Sequence, residues 1–208
     1  MTNACIITGT DTDVGKTVFA AMLMLALNAS YWKPIQSGVS DSIDTRTVQQ
    51  LTDFPAEKFF PEAYIFSEPL SPHRAAEIDK VEIDVDALAL PACEGPLLVE
   101  GAGGLMVPLT RKNLQINLFK RWNLPVILCA RTELGTINHT LLSLEALWSR
   151  EIPVHGLAFI GPDNPDTIRT ITEYSGVKAL GRLPWLPALT AENLRHAFRE
   201  NFNLEDFG

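Results

Sequence analysis

Residues 8–17 read TGTDTDVGKT. They lie between two apolar runs, ACIIT at 4–8 and VFAAMLMLALNA at 18–29. The first run suits a short buried parallel strand. The Ala, Leu and Met of the second favour a helix from Lys16 to about Ala29. Strand, glycine turn and helix together are the context that a phosphate-binding loop requires. The usual pattern, G-x-x-x-x-G-K-[ST], has four residues between its glycines. Here Gly9 and Gly15 enclose five: Thr10, Asp11, Thr12, Asp13 and Val14. In such a loop the backbone amides cradle phosphate oxygens. Lys16 then reaches the β- and γ-phosphates, and the Thr17 hydroxyl suits Mg2+. Two carboxylates facing a polyanion need another use. Asp11 reads as a loop-shaping side chain that accepts backbone N–H bonds. Asp13 can do the same or contact an amine-bearing substrate.

Outward from this unit, strands and helices alternate. A short strand limited by Pro34 is expected at 31–35, and a polar helix at 41–53 with Asp41 and Ser42 as cap candidates. Residues 54–80 carry prolines and aromatics without periodicity and read as a loop-rich excursion. A helix is expected at 84–90 and an apolar strand running into glycines at 95–104. A helix follows at 113–123, with Leu114, Leu118 and Trp122 on one face. The remaining order is strand 124–130, helix 137–150, strand 153–161, helix 166–175, strand 178–184, and helix 190–200 capped by Thr190. The alternation predicts an α/β, P-loop NTPase-like three-layer fold, with a mostly parallel central sheet flanked by helices.

The 208 residues fit one domain, 1–208. A formal charge of −8 argues against a general nucleic-acid or membrane-surface binder. The N-terminus lacks a basic flank, and polar TGTDTD follows ACIIT at once, so no signal peptide is expected. The run at 18–29 is too short to span a bilayer. Cys5, Cys93 and Cys129 form no C-x-x-C, which suggests reduced thiols and a cytoplasmic protein. Cys5 and Cys129, inside apolar runs, read as small core residues.

In a parallel α/β sheet, ligands bind at the carboxyl ends of the strands. Two such ends stand out, 9–17 and 100–104. LLVEGAGG (97–104) places an acid, Glu100, where a metal ligand of the Walker-B kind would meet Mg2+ held by Thr17. Gly101, Gly103 and Gly104 after it allow a ligand close to the backbone. YWKPIQSG (31–38) sets Lys33 and Ser37 around a rigid proline. A second lysine beside a nucleotide would neutralise charge in phosphoryl transfer. Read alone, Lys33 fits a surface lysine as well, and Asp44 a helix-cap or surface residue. Arg131, just past VILCA, falls near the same edge, but nothing in the pattern gives it a part.

In this order, TGTDTDVGKT, KPIQSG, an Asp in a polar helix, VEGAGG, LPVILCARTELGTINHTLLSLEAL and LPWLP resemble the dethiobiotin synthetase family over most of the chain. The resemblance implies a phosphate loop one residue longer than usual, whose extra polar residues also face a second substrate. It implies an ATP- and Mg2+-dependent ligase of biotin biosynthesis. That enzyme closes the cyclic urea of dethiobiotin from 7,8-diaminopelargonate and CO2, through a carbamate and a carbamic–phosphoric anhydride.

The resemblance assigns Lys16 and Lys33 to phosphate and carbamate oxygens, and Thr12 and Ser37 to the substrate-side hydroxyls. Asp13 stands where the family often has Glu. Thr17, Asp44 and Glu100 match the Mg2+ ligands, and Gly103 and Gly104 the loop beside the diamine. Val14, Gly15 and Val18 complete the nucleotide loop. The family is a homodimer, and Gly135, Thr136, Ile137 and Asn138 match the segment that takes the substrate carboxylate across its interface.

Two departures stand out. The chain is several residues shorter than is common between Gly-Lys-Thr and Lys33. Gly161 and Pro162 also stand where the family often has the Asn-Asp whose Asn reads adenine. That leaves Asn164 or the LPWLP backbone, at Pro184 and Leu186, to meet the base, or the base read only loosely. Two rivals remain: a related amidoligase of the cobyrinate synthetase type, and a partitioning-type nucleotide-switch ATPase. The first usually carries an extra glutamine-hydrolysing domain. The second would want K-G-G-x-G-K-T and often a basic terminal helix, whereas this chain ends RENFNLEDFG.

Overall fold

Strand β1 (Ala4–Gly9) lies at the centre of the sheet, and helix α1 (Lys16–Leu27) follows it after a loop of six residues. A computed structural model describes residues 4–39 and 43–207. In chain order there follow β2 (Ser30–Trp32), β3 (Ile35–Ser37), α2 (Asp44–Thr52), β4 (Phe59–Phe60), β5 (Tyr64–Phe66), α3 (Pro72–Asp79), β6 (Leu97–Gly104) and α4 (Gln115–Trp122). The chain continues with β7 (Val126–Arg131), α5 (Thr136–Trp148), β8 (Val154–Ile160), α6 (Pro165–Ser175), β9 (Ala179–Leu183) and α7 (Ala191–Asn201).

The main sheet has seven strands in the order β4-β2-β6-β1-β7-β8-β9, and each pairing between them is parallel. Alternation along the strands builds three layers. Ile7, Tyr31, Leu98, Ile127 and Cys129 face α1, α2 and α7. Ile6, Trp32, Val99 and Val126 face α4 and α5, and Leu128, Ala130 and Phe159 face α5 and α6. Helix α1 is covered all round: Phe19, Met22, Leu23 and Met24 have no exposed surface. Each such side chain stabilises the fold by about 2 kcal/mol relative to leaving it in water. That burial anchors the phosphate loop, whose last residues are the first turn of α1. Cys5 and Cys129 are core residues, and burial raises the Cys5 thiol to about 12 and the Cys129 thiol higher still. Cys93 is half-buried. No helix among the described residues is long and apolar enough to cross a membrane.

Three expectations are corrected. The strand expected at 31–35 is two strands. The chain leaves the main sheet at Lys33–Pro34, and β3 pairs with β5 in a separate two-stranded parallel sheet. Proline has no N–H for the ladder, so the strand cannot run on through it. The segment 54–80 is more ordered than its composition suggests, with a short 3-10 turn, β4, β5 and α3 inside it. Its strands are two and three residues long, too short to show a period. The helix expected at 84–90 is a turn. Asp84 Oδ1 accepts the N–H groups of Asp86 and Ala87, an alternative to helix that Asp offers its own backbone, and Pro91 follows. Leu88 from that turn is buried against Ile35 and Phe66. The cap candidates Asp41 and Ser42 lie outside the described residues. Helix α2 begins at Asp44.

Candidate active site

The extra loop residue is absorbed by tucking Val14 inward. It is 1% exposed, while Thr12 and Asp13 stay at the surface. The turn that does this takes Asp13 to φ 56 and Gly15 to φ 93, both left-handed. Gly9 is obligatory at the other end: a Cβ there would lie 2.6 Å from Val14 Cγ2 and 2.8 Å from the Asp11 carbonyl oxygen. Gly15 caps α1 with no side chain on the first-turn amides, and that turn carries no acid. By contrast α6 and α7 open on Asn164 and Thr190, whose side chains do cap them. An uncapped, acid-free helix start presents N–H groups and the positive end of the dipole to an anion.

Lys16 Nζ donates to the Asp11 carbonyl at 3.0 Å. Burial pulls its ammonium below the ordinary lysine range, against the charge of Glu100, while Lys33 adds to the lowering. Asp11 shapes the loop as expected, accepting the Thr12 N–H at 2.7 Å on Oδ1. Its Oδ2 accepts from Arg131 Nη2 at 2.7 Å. Arg131, at the end of β7, therefore steadies the phosphate loop from the side.

Glu100 is the hub. It is 1% exposed at the end of the apolar part of β6. Its Oε1 accepts from Thr17 Oγ1 at 2.9 Å and from Lys33 Nζ at 3.3 Å, and its Oε2 accepts from the Tyr31 hydroxyl at 2.9 Å. Lys33 Nζ also pairs with Asp44 Oδ2. Lys33 is thus not a surface lysine: it is 6% exposed and bridges two acids 56 residues apart in sequence, since 100 less 44 is 56. Gln36, buried beside it, accepts the Asp44 N–H at 3.2 Å and donates to the Ser37 and Gly38 carbonyls, tying the start of α2 to β3.

Past Glu100, Gln115 clamps the glycine segment. It accepts from the Ala102 N–H at 2.7 Å and donates to the carbonyls of Ala102 and Gly104. Gly103, at φ 62, then passes so close to Thr12 that a Cβ would stand 3.1 Å from its Oγ1.

These groups line one cavity of about 540 Å³. It brings together Thr12, Asp13, Gly15, Lys16, Thr17, Lys33, Ser37, Asp44, Glu100 and Gly103 from the sequence-derived set. Ser37 Oγ is buried with no hydrogen-bond partner among the described residues. Gln36 and the 69–72 segment, including Ser71, line it too and were not expected. Ser71–Pro72 is a helix-start signal, an N-cap residue followed by Pro at the first helical position, that points α3 at the cavity.

Other expected residues lie outside the cavity wall. Val14 and Val18 pack into the core beneath the loop, and Gly104 pairs with Gly9 in the sheet. Gly135, at φ 94, opens α5 with no side-chain cap and no acid in the first turn, as Gly15 does for α1. Gly135 and Asn138 are exposed, Ile137 is half-buried, and Thr136 is buried with its hydroxyl on the Arg131 carbonyl at 2.6 Å. Asn164 spends its amide on the Thr132 carbonyl at 2.9 Å and on capping Thr167 N–H at 3.3 Å. Pro184 and Leu186 are half-buried after β9, and Leu186 packs on the cluster that holds Val14 and Ile160.

A family model described as AAA domain matches residues 3–193. The chain is 58% identical over 208 residues to a protein of Brucella anthropi named ATP-dependent dethiobiotin synthetase BioD, covering 100% of this chain and 98% of that one. It is 57% identical to the protein of the same name from Rhodopseudomonas palustris (strain HaA2), covering 100% and 97%. Among solved structures it is similar to the septum site-determining protein MinD of Pyrococcus horikoshii OT3, complexed with Mg-ADP. There the TM-score is 0.54 at 13% identity, covering 95% of this chain and 86% of that one. A ParA family ATPase of Chlorobium tepidum TLS gives 0.52 at 9% identity, covering 93% and 96%. At those identities the solved structures speak to the fold alone.

Proposed function

The chain belongs to the ATP-dependent dethiobiotin synthetases, within the AAA-domain family, and we propose that the cavity at the end of β1 and β6 is where it makes dethiobiotin for biotin biosynthesis. Neither the cobyrinate-type nor the partitioning-type reading is favoured: the partitioning ATPases share the fold at low identity, while the synthetases match over the whole chain.

The substrates in this reading are 7,8-diaminopelargonate, CO2 and ATP. One amine adds to CO2 and loses a proton, giving a carbamate. A carbamate oxygen attacks the γ-phosphorus and ADP leaves. The second amine attacks the carbonyl carbon of the mixed anhydride, and phosphate leaves as the ring closes. No bond to the protein forms, so positioning and charge stabilisation carry the rate. The observation that carries the reading is the meeting of two buried ammonium groups, Lys16 and Lys33, with Thr17, Asp44 and Glu100 in one cavity.

The residues then divide the work. The amides of Gly15, Lys16, Thr17 and Val18, with Asp13 and Val14 shaping the turn, hold phosphate. Lys16 and Lys33 offset charge on the transferring phosphoryl group and the carbamate. Ser37, whose hydroxyl has no partner among the described residues, and Thr12 beside Gly103 are disposed to meet the diamine and its carbamate. Thr17, Asp44 and Glu100 would hold Mg2+. They are hard oxygen donors lining the same cavity, and Mg2+ is commonly bound by one or two carboxylates plus substrate phosphates. Among the described residues no group of three or more His, Cys, Asp or Glu could hold a metal ion alone, which agrees with a metal that arrives with its nucleotide. When bound, Mg2+ neutralises phosphate charge. The enzyme works in the cytoplasm as a homodimer, with Asn138 and the amides of Gly135, Thr136 and Ile137 receiving the carboxylate of a substrate held by the neighbouring subunit. No nucleic acid and no membrane take part.

ADP release, followed with diamine and bicarbonate each omitted in turn, is expected to need both. Equal ADP release without the diamine overturns the assignment. Base reading is expected to be loose. At the end of β8 the Gly161 N–H donates to the Leu183 carbonyl, its own carbonyl accepts from Arg182, and both ends of the Asn164 amide have partners. GTP and CTP should therefore support turnover within about tenfold of ATP, a difference of about 1.4 kcal/mol; strict ATP dependence would sink this expectation.

A further inference from the structure

Tyr31 and Lys33 are two residues apart on an extended segment, so they leave it on the same face. Tyr31 lies in register with Leu98 on β6, and Glu100 follows on that same face of β6. The Glu100 carboxylate is therefore approached from two sides. From the core the Tyr31 hydroxyl reaches Oε2 at 2.9 Å. From the cavity Thr17 at 2.9 Å and Lys33 at 3.3 Å reach Oε1. Trp32, between them, faces the opposite layer and gives its Nε1–H to the Pro61 carbonyl.

We propose that Tyr31 is a positioning residue for the metal-binding carboxylate: it holds Glu100 by Oε2 so that Oε1 is the oxygen presented to the cation. This rests on the metal reading above. An ionised carboxylate accepts through both oxygens, and an oxygen left unpaired in the core is costly. Tyr31 has no exposed surface, so a hydroxyl is the group that fills Oε2 there. Hydrogen bonds to a charged acceptor are the strong ones. Packing alone does not call for the hydroxyl: the ring sits against Phe59, centroids 6.4 Å apart, and phenylalanine would keep that contact.

The test is Tyr31→Phe in the full-length protein, with Mn2+ binding in the presence of ADP followed by electron paramagnetic resonance. Losing a group that orients a metal ligand typically costs 10- to 100-fold in metal affinity. We expect the Mn2+ dissociation constant to rise about tenfold or more. ADP binding without metal should not change, and turnover should recover at high metal concentration. Phe59→Leu is the companion variant. It removes the ring neighbour and keeps the hydroxyl, so it should melt lower yet bind Mn2+ as the wild type does. Wild-type Mn2+ affinity in Tyr31→Phe, or an equal loss in Phe59→Leu, overturns the proposal. If wild-type protein with bound ADP takes no Mn2+, the metal reading itself fails and the proposal with it.

Discussion

Lys33→Met lowers turnover by roughly 10²- to 10³-fold, the usual loss when one pre-placed charge-stabilising donor is removed from a catalytic site. The position makes so large an effect reasonable. Lys33 is 6% exposed and its ammonium lies between Asp44 and Glu100, in the cavity that Ser37 also lines. In such a setting a cation acts with little screening. Methionine keeps most of the side-chain volume and removes the charge. Lys16 and the loop amides remain, so the variant should still bind nucleotide. The checks are steady-state turnover with saturating diamine and bicarbonate, and a separate nucleotide titration. Turnover within about threefold of wild type would remove Lys33 from the chemistry.

Gly181→Val destabilises the protein by about 3 kcal/mol, lowering Tm by about 6–12 °C for a chain of this size. Gly181 sits in β9 at φ +152 and bridges to Phe202, which follows α7. A Cβ there would be 2.2 Å from the Asn201 carbonyl oxygen and 2.6 Å from Phe202 Cδ1. Backbone cannot yield as a flexible side chain can, so α7 must lift from the sheet and loosen the ring cluster of Phe19, Phe198, Phe202 and Phe207. Gly176→Ala is the control. It too has positive φ, +68, but nothing lies within 4 Å of the added carbon, so only backbone strain of about 1 kcal/mol applies. Equal melting shifts in the two variants would show that the clash plays no part.

The fold was legible wherever an element is long and ends in a glycine signal. ACIIT, the glycine turn and the Ala/Leu/Met run specify β1, the loop and α1 because burial on both faces needs unbroken apolar runs. Thr190 as cap of α7 was legible for the same local reason: its hydroxyl accepts the Asn193 N–H at 3.2 Å. The misreadings lie where tertiary packing decides. A helix was expected at 84–90, but the Asp84 turn feeds Leu88 into a cluster with Ile35 and Phe66 that no local pattern announces. The strands of 54–80 exist because β2 and β3 are there to pair with. Within the cavity, the phosphate loop declares itself through fixed spacing. Lys33 and Asp44 do not: alone they read as surface residues, and only the folded chain sets the Lys33 ammonium between Asp44 and Glu100. Tyr31, Gln36 and Gln115 escaped notice, and Arg131 was placed near the edge without a part, because a residue that supports another leaves no motif of its own.

The two sealed thiols have a practical corollary. Cys5 and Cys129 sit deep in the core with ionisation pushed far above neutrality, so neither offers thiolate to an electrophile while the chain is folded. Cys93 has partial solvent access. A maleimide dye or spin label added to the unmodified protein thus has one address, four residues ahead of β6, the strand that carries Glu100. The molecule comes ready for single-site labelling, and exposure of the other two thiols to a tag would serve as a clock for unfolding.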